Sequence, residues 1–217
     1  MARSAPAPTR LRHRTDIDGL RAIAILPVLA FHAFPRIAGG GFVGVDVFFV
    51  ISGYLITAII LSDLREGRFG FPGFYARRAR RIFPSLSIVL AASITAGWFI
   101  LLPGPYEALG KHAAAGAGFV ANLLSWREAG YFDAASATRP LLHLWSLGVE
   151  EQFYIVWPAV LWWACRRGYH LLTVSVVLAL VSFGLNLALV HKDATAAFYA
   201  PPTPGFSLAV QVARIPR

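Results

Sequence analysis

The chain has 217 residues, 57% of them hydrophobic and only 14% charged, with a mean hydropathy of +0.59; a soluble domain carries roughly a quarter charged residues. The apolar residues form long blocks rather than amphipathic stripes, which excludes an ordinary soluble fold and points to an all-α, polytopic transmembrane helix bundle whose first partner is the lipid bilayer. The formal net charge of +9 comes from basic residues beside those blocks, so it reads as membrane topology and not as a nucleic-acid surface.

In chain order, residues 1–15, rich in Ala, Pro and Arg, read as a disordered basic cytoplasmic tail. Five apolar runs follow, to be set against the ~20 residues that a bilayer crossing needs: Leu20–Phe34, Phe42–Leu61, Ile82–Leu102, Leu144–Ala164 and Leu171–Val190. The first is short and has to start near Arg21, with that side chain snorkelling to the headgroups. A cleaved signal peptide is the alternative for it, but no small-x-small site follows and further spans come at once, so an uncleaved span is expected. Tyr106–Trp126 contains Glu107, Lys111 and His112 and is expected as a helix in the outer interface.

Charge sets the orientation. With the N-terminus in the cytoplasm, the inside segments 1–16, 63–81 and 166–170 hold twelve Lys and Arg, against five outside (Arg36, Lys111, Arg127, Arg139 and Lys192). That is a positive-inside bias, and it gives a multi-pass protein of the cytoplasmic (inner) membrane. Cys165 stands alone, which rules out an intrachain disulfide and a cysteine metal cluster. No two histidines have tight ligand spacing, so no metal is expected. His13, His112, His170 and His191 fall in tails, in the amphipathic stretch or at span ends and carry no expectation.

Polar residues inside spans are the informative ones, because an ionisable group at the bilayer centre costs about 2.5–3.5 kcal/mol on insertion scales. Arg21 and His32 lie ~16 Å apart along one helix face. Arg21 reads as a snorkelling anchor or a site residue. His32 reads as an interfacial cap or as a base, since a neutral imidazole is cheap to bury and titrates near neutral pH. Asp46 sits about one turn into the second span and is a candidate to orient His32. Gly40 and Gly44 at GxxxG spacing allow close helix approach. The basic run Phe74–Pro84 reads as an anionic-lipid anchor or as a phosphate-binding edge, with Arg78 and Arg81 on one face at i,i+3. The block His143–Tyr154 opens the fourth span from the outside with His143, Trp145, Ser146, Glu150, Glu151 and Gln152. Its ordinary reading is an interfacial belt; the alternative is a polar stripe of His143, Ser146 and Glu150, with Ser146 and His143 as a possible nucleophile pair. Adjacent Glu150 and Glu151 point about 100° apart on a helix and are not expected to face one partner.

Taken together, Asp18-Gly-Leu-Arg21, His32, Gly41–Gly53, Phe74–Pro84 and His143–Tyr154 resemble, in order and spacing, the membrane acyltransferase-3 family. That family includes bacterial O-antigen and peptidoglycan O-acetyltransferases and nodulation-factor acetylases. The resemblance runs over about residues 15–165 and implies a bundle larger than five spans. It implies acetyl-CoA or another acyl-CoA as donor from the cytoplasm, no metal, and a glycan acceptor modified near the outer face. Arg21 and His32 match the family's spaced Arg–His element, with His32 as catalytic base. Arg78 and Arg81 match its cytoplasmic arginine element, and with Arg21 they are the expected donor-binding residues. His143, Trp145, Ser146, Glu150, Glu151 and Gln152 match its outer-loop signature.

The expected mechanism has His32 deprotonate a sugar hydroxyl as it attacks the thioester. Asp46 fixes the imidazole, Ser146 or Trp145 stabilises the oxyanion, and Glu150 completes the catalytic set. Residues 16–203 are thus expected as the N-terminal part of an acyltransferase domain, and 204–217 as an atypical end where the family pattern stops. A truncated gene product that needs the missing C-terminal half for activity is expected from that ending. The alternatives are a non-enzymatic transporter or exporter part, for which intramembrane Asp, His and Glu serve equally well, and an inactive fragment.

Overall fold

The computed structural model describes residues 15–34, 36, 37, 39–128 and 140–199. The expectations for residues 1–14, for Arg139 and for 200–217 lie outside those residues. The described residues form helices and turns, with no strand among them: α1 (Thr15–Ala33), α2 (Val43–Arg65), α3 (Phe71–Ile100), α4 (Pro103–Ala117), α5 (Ala121–Glu128), α6 (Leu144–Arg167), α7 (Leu171–Val190) and α8 (Ala194–Tyr199).

Three of these helices, α2, α3 and α7, are long and apolar enough to cross a membrane. α1 and α6, expected as the first and fourth spans, have 19 and 24 residues and so reach ~28 and ~36 Å. Length therefore permits a crossing, but Asp16, Asp18 and Arg21 on α1 and Glu150, Glu151 and Gln152 on α6 dilute their apolar character. The residues that set these two helices apart are largely the candidate site residues.

Residues 15–51 form one unit, in which α1 meets the start of α2. Gly41 lies against the Pro27 carbonyl and Phe31, and Gly44 against the Ala24 carbonyl and Val28. A Cβ at either position would collide with main chain, so both glycines are there for close helix approach. This corrects the expected pair: Gly40 faces open space and Gly41 takes its place. The turn through residues 39–42 sets the register, and the spacing of glycines in the sequence does not reveal it.

The rest of α2 and α3 to α8 form the second unit. Ile60, Phe74, Trp157 and Leu161 pack the end of α2 and the start of α3 onto α6. There Trp157 donates its indole N–H to the Thr57 hydroxyl (2.7 Å), which itself donates to the Gly53 carbonyl (2.7 Å). Leu86, Leu109, Ala113, Ala121, Leu141 and Leu144 form a second cluster that joins α3, α4, α5 and the start of α6.

Two element boundaries differ from expectation. α3 starts at Phe71, with a proline in its first turn, so the whole basic run is helical and continuous with the apolar run Ile82–Leu102. The expected helix over Tyr106–Trp126 is broken between α4 and α5. Phe119 takes a left-handed conformation (φ 56°) there, uncommon for a bulky residue. Its carbonyl accepts the Gln152 side-chain N–H at 2.8 Å, so a tertiary bond from α6 holds the break.

Candidate active site

In the first unit, the placement of His32 is local. Its Nδ1 lies 2.8 Å from the Val28 carbonyl, four residues back on α1. A carbonyl only accepts, so Nδ1 is the donor, and in the neutral ring Nε2 carries the basic lone pair. The side chain is exposed. Its edge meets Phe31, with ring centroids 5.5 Å apart.

Asp46 was expected to orient that ring and does not bond to it. Its side chain is exposed and makes no hydrogen bond or ion pair among the described residues. The Val28 carbonyl, one helical turn away, supplies the orienting acceptor with no chain closure to offset. Arg21 lies over the ring of Phe48 on α2, 5.0 Å from its centroid, a cation–π contact. Its Nε is buried and has no hydrogen-bond partner.

In the second unit, α3 delivers Arg78 to α6. The Arg78 Nε lies 3.1 and 3.0 Å from the two Glu151 carboxylate oxygens, and Nη2 also donates to Glu151 Oε1. This is a bidentate, charge-assisted pair. The guanidinium sits 3.3 Å from the centroid of the Tyr154 ring. The Tyr154 hydroxyl donates to Glu150 Oε1 at 2.6 Å, and that same oxygen lies 3.9 Å from Arg78 Nη2. Side-chain exposures of 16% for Arg78, 13% for Glu150 and 8% for Glu151 make this a largely desolvated cluster.

Two expectations are corrected by this cluster. Both glutamates approach one partner, because the guanidinium is broad enough to bond Glu151 on its edge while its tip nears Glu150. The arginine element and the His143–Tyr154 block were also expected on opposite sides of the membrane, whereas Arg78 and Glu151 are in direct contact. Arg78 therefore does not present a free fork for phosphate. Arg81 is exposed and makes no ion pair among the described residues.

The remainder of the α6 block is built on main chain and aromatic packing. The Ser146 hydroxyl donates to the main-chain carbonyl of His143 at 3.0 Å, so it does not serve the alternative Ser146–His143 nucleophile pair; a carbonyl one turn back captures the hydroxyl proton. Trp145 packs against Phe198 and Tyr199 of α8, with centroids 4.7 and 5.7 Å away. Gln152 donates to the Asn122 Oδ1 at 2.9 Å as well as to Phe119. Asn122, fully buried, donates to the Tyr199 carbonyl at 3.1 Å.

Residues that sequence reasoning passed over also stand out. Asn122 and Tyr154 complete networks around Gln152 and Glu150; a lone amide in an apolar stretch was the available signal for the first. His112 is buried, and its Nε2 lies 2.9 Å from Glu128 Oε2 on α5, while its Nδ1 is buried with no partner. Among the described residues no three His, Cys, Asp or Glu side chains converge to hold a metal.

Residues 14–211 match the family model described as Acyltransferase domain. The peptidoglycan O-acetyltransferase OatA of Listeria monocytogenes is 40% identical over 148 residues, which is 67% of this chain and 24% of the relative. YrhL of Bacillus subtilis, a candidate peptidoglycan O-acetyltransferase, is 33% identical over 207 residues, 92% of this chain and 32% of the relative. The chain thus spans 24% to 32% of the length of these two relatives. No solved structure matches it significantly.

Proposed function

The chain belongs to the acyltransferase-3 family, and from that premise we propose that it forms part of a membrane acyltransferase. It moves an acyl group, acetyl in the first instance, from an acyl-CoA thioester to a hydroxyl of a cell-envelope glycan, peptidoglycan being the acceptor that the relatives' names favour. The observation that carries the reading is the family match over residues 14–211.

His32 acts as general base. The bond from Nδ1 to the Val28 carbonyl supports this role, because it leaves Nε2 as the basic nitrogen on an exposed ring. In the reaction Nε2 takes the proton of the glycan hydroxyl as the oxygen attacks the thioester carbonyl. The tetrahedral adduct then collapses, the C–S bond breaks, and the thiol leaves with the proton returned from His32.

Donor phosphates fall to Arg81, whose fork is open, together with its exposed neighbours Arg77 and Arg80. Arg78 instead ties α3 to the signature block on α6. The N-terminus is assigned to the cytoplasm of a cytoplasmic membrane on the strength of the charge bias.

The test is transfer of label from acetyl-CoA to cell-envelope glycan in membranes that contain the chain, against membranes that lack it. Label that follows the chain and is competed by free CoA supports the reading. Equal labelling of both membranes overturns activity of the chain by itself, and equal labelling when the chain is joined to the part of YrhL beyond the matched region overturns the reading.

A further inference from the structure

The junction of α6 and α7 holds a groove of about 470 Å³ that the acyl-transfer reading does not use, lined among others by Trp163, Gly168, Tyr169, Val174, Val177 and Leu178. Its shape comes from the end of α6. Gly168 is left-handed (φ 69°), and the Tyr169 N–H returns to the Ala164 carbonyl at 3.0 Å, so the chain reverses tightly and α7 sets off beside Trp163. The Trp163 and Tyr169 rings pack with centroids 5.2 Å apart. From there the groove runs along the apolar side chains Val174, Val177 and Leu178 of α7, a helix apolar enough to span a bilayer.

A cation stands beside Trp163, one of the residues that line the groove. The Arg167 guanidinium lies 5.8 Å from the Trp163 ring centroid, and Arg166 lies beside Trp162 at 4.7 Å. Arg167 is exposed. An apolar groove along a spanning helix, with an indole in its lining and a cation beside that indole, is complementary to a molecule with an acyl chain at one end and a negative charge at the other.

We propose that this groove holds one anionic phospholipid, its acyl chain along Val174, Val177 and Leu178 and its phosphate on Arg167. Attraction of a basic residue for anionic lipid at the membrane surface is worth about fivefold in affinity. Because Arg167 neighbours Trp163, which lines the groove, and Arg166 neighbours Trp162, which does not, the two arginines are not equivalent. The site is independent of the acyl-transfer reading and stands or falls separately from it.

The experiment is native mass spectrometry of the whole chain, purified in mild detergent and titrated with phosphatidylglycerol or with phosphatidylcholine. The variants are Arg167→Gln, Arg166→Gln and Val177→Trp, the last filling the groove and leaving the charge in place. The expected result is one retained phosphatidylglycerol in preference to phosphatidylcholine. Arg167→Gln weakens it about fivefold, Arg166→Gln weakens it less, and Val177→Trp expels it. Equal retention of both lipids by the unaltered chain overturns the proposal. So does equal loss from the two arginine variants, which indicates diffuse surface attraction, or unchanged retention by Val177→Trp.

Discussion

Arg78 on α3 and Glu151 on α6, 73 positions apart in the chain, form a two-pronged ion pair in which Nε and Nη2 both donate to one carboxylate. Truncating the arginine strands Glu151 and leaves Glu150 close by. Removing one partner of a buried pair costs about 3–5 kcal/mol, while replacing both by apolar groups costs far less. Arg78→Met is therefore expected to lower thermal stability in detergent strongly, and Arg78→Met with Glu151→Leu to recover most of the loss. Additive losses in this double-mutant cycle contradict the pairing.

A side chain at Gly148 is expected to strain the α5–α6 contact. A Cβ there would stand 3.0 Å from the Asn122 Oδ1 and 3.2 Å from the Phe119 carbonyl, the two acceptors that Gln152 uses. Gly148→Ala makes Asn122 and the Phe119 carbonyl shift by a few tenths of an ångström and is expected to cost about 1 kcal/mol, read as a drop in unfolding temperature. Replacement of Gly110, which has open space around it, is the comparison and lacks this clash.

His112 and Glu128 are expected to be coupled. Loss of a buried hydrogen-bond partner costs about 1–3 kcal/mol, so His112→Ala lowers stability, and Glu128→Ala costs less in the His112→Ala background than in the unaltered chain. Full additivity of the two changes in unfolding measurements indicates that the 2.9 Å contact contributes nothing.

Asp193 links α8 to α5: it accepts the Ala196 N–H at 2.9 Å and the Trp126 indole N–H at 3.2 Å. The Ala196 N–H is the first cause, the Trp126 indole the second, of a carboxyl pKa held below its ordinary value. A depressed folded-state pKa contributes stability that is complete above the unfolded value, about 3.9 for Asp, and is lost as pH falls through the folded value. Hydrogen-exchange protection of the Ala196 amide, corrected for its intrinsic rate, is expected to hold at neutral pH and decline below about pH 4. Asp193→Asn keeps an acceptor and removes the pH dependence. A decline of equal size in that variant contradicts the assignment.

What the sequence reveals follows from which interactions are local. The apolar runs that become α2, α3 and α7 are legible because a bilayer imposes length and composition directly on one segment. His32 and the α6 block stand out in the sequence because polar residues are conspicuous in such a setting. The Arg78–Glu151 pair depends on how far α3 slides past α6, which no local pattern encodes, and so the two motifs were expected on opposite sides. His112 looks ordinary because its partner lies across a helix break, and that break depends on a bond from Gln152 to the Phe119 carbonyl. The substitution of Gly41 for Gly40 at the α1–α2 approach, and of the Val28 carbonyl for Asp46 at His32, likewise turn on a one-residue register and on one helical turn.

The most direct measurement is the rate of acetyl transfer from labelled acetyl-CoA to cell-envelope glycan by His32→Ala, beside Asp46→Asn and the unaltered chain. General-base catalysis contributes about 10²–10⁴-fold, so His32→Ala is expected to lose at least about a hundredfold. Asp46→Asn, whose side chain does not bond to the imidazole, is expected to keep most of its rate. Full transfer by His32→Ala contradicts the role of His32 as the base.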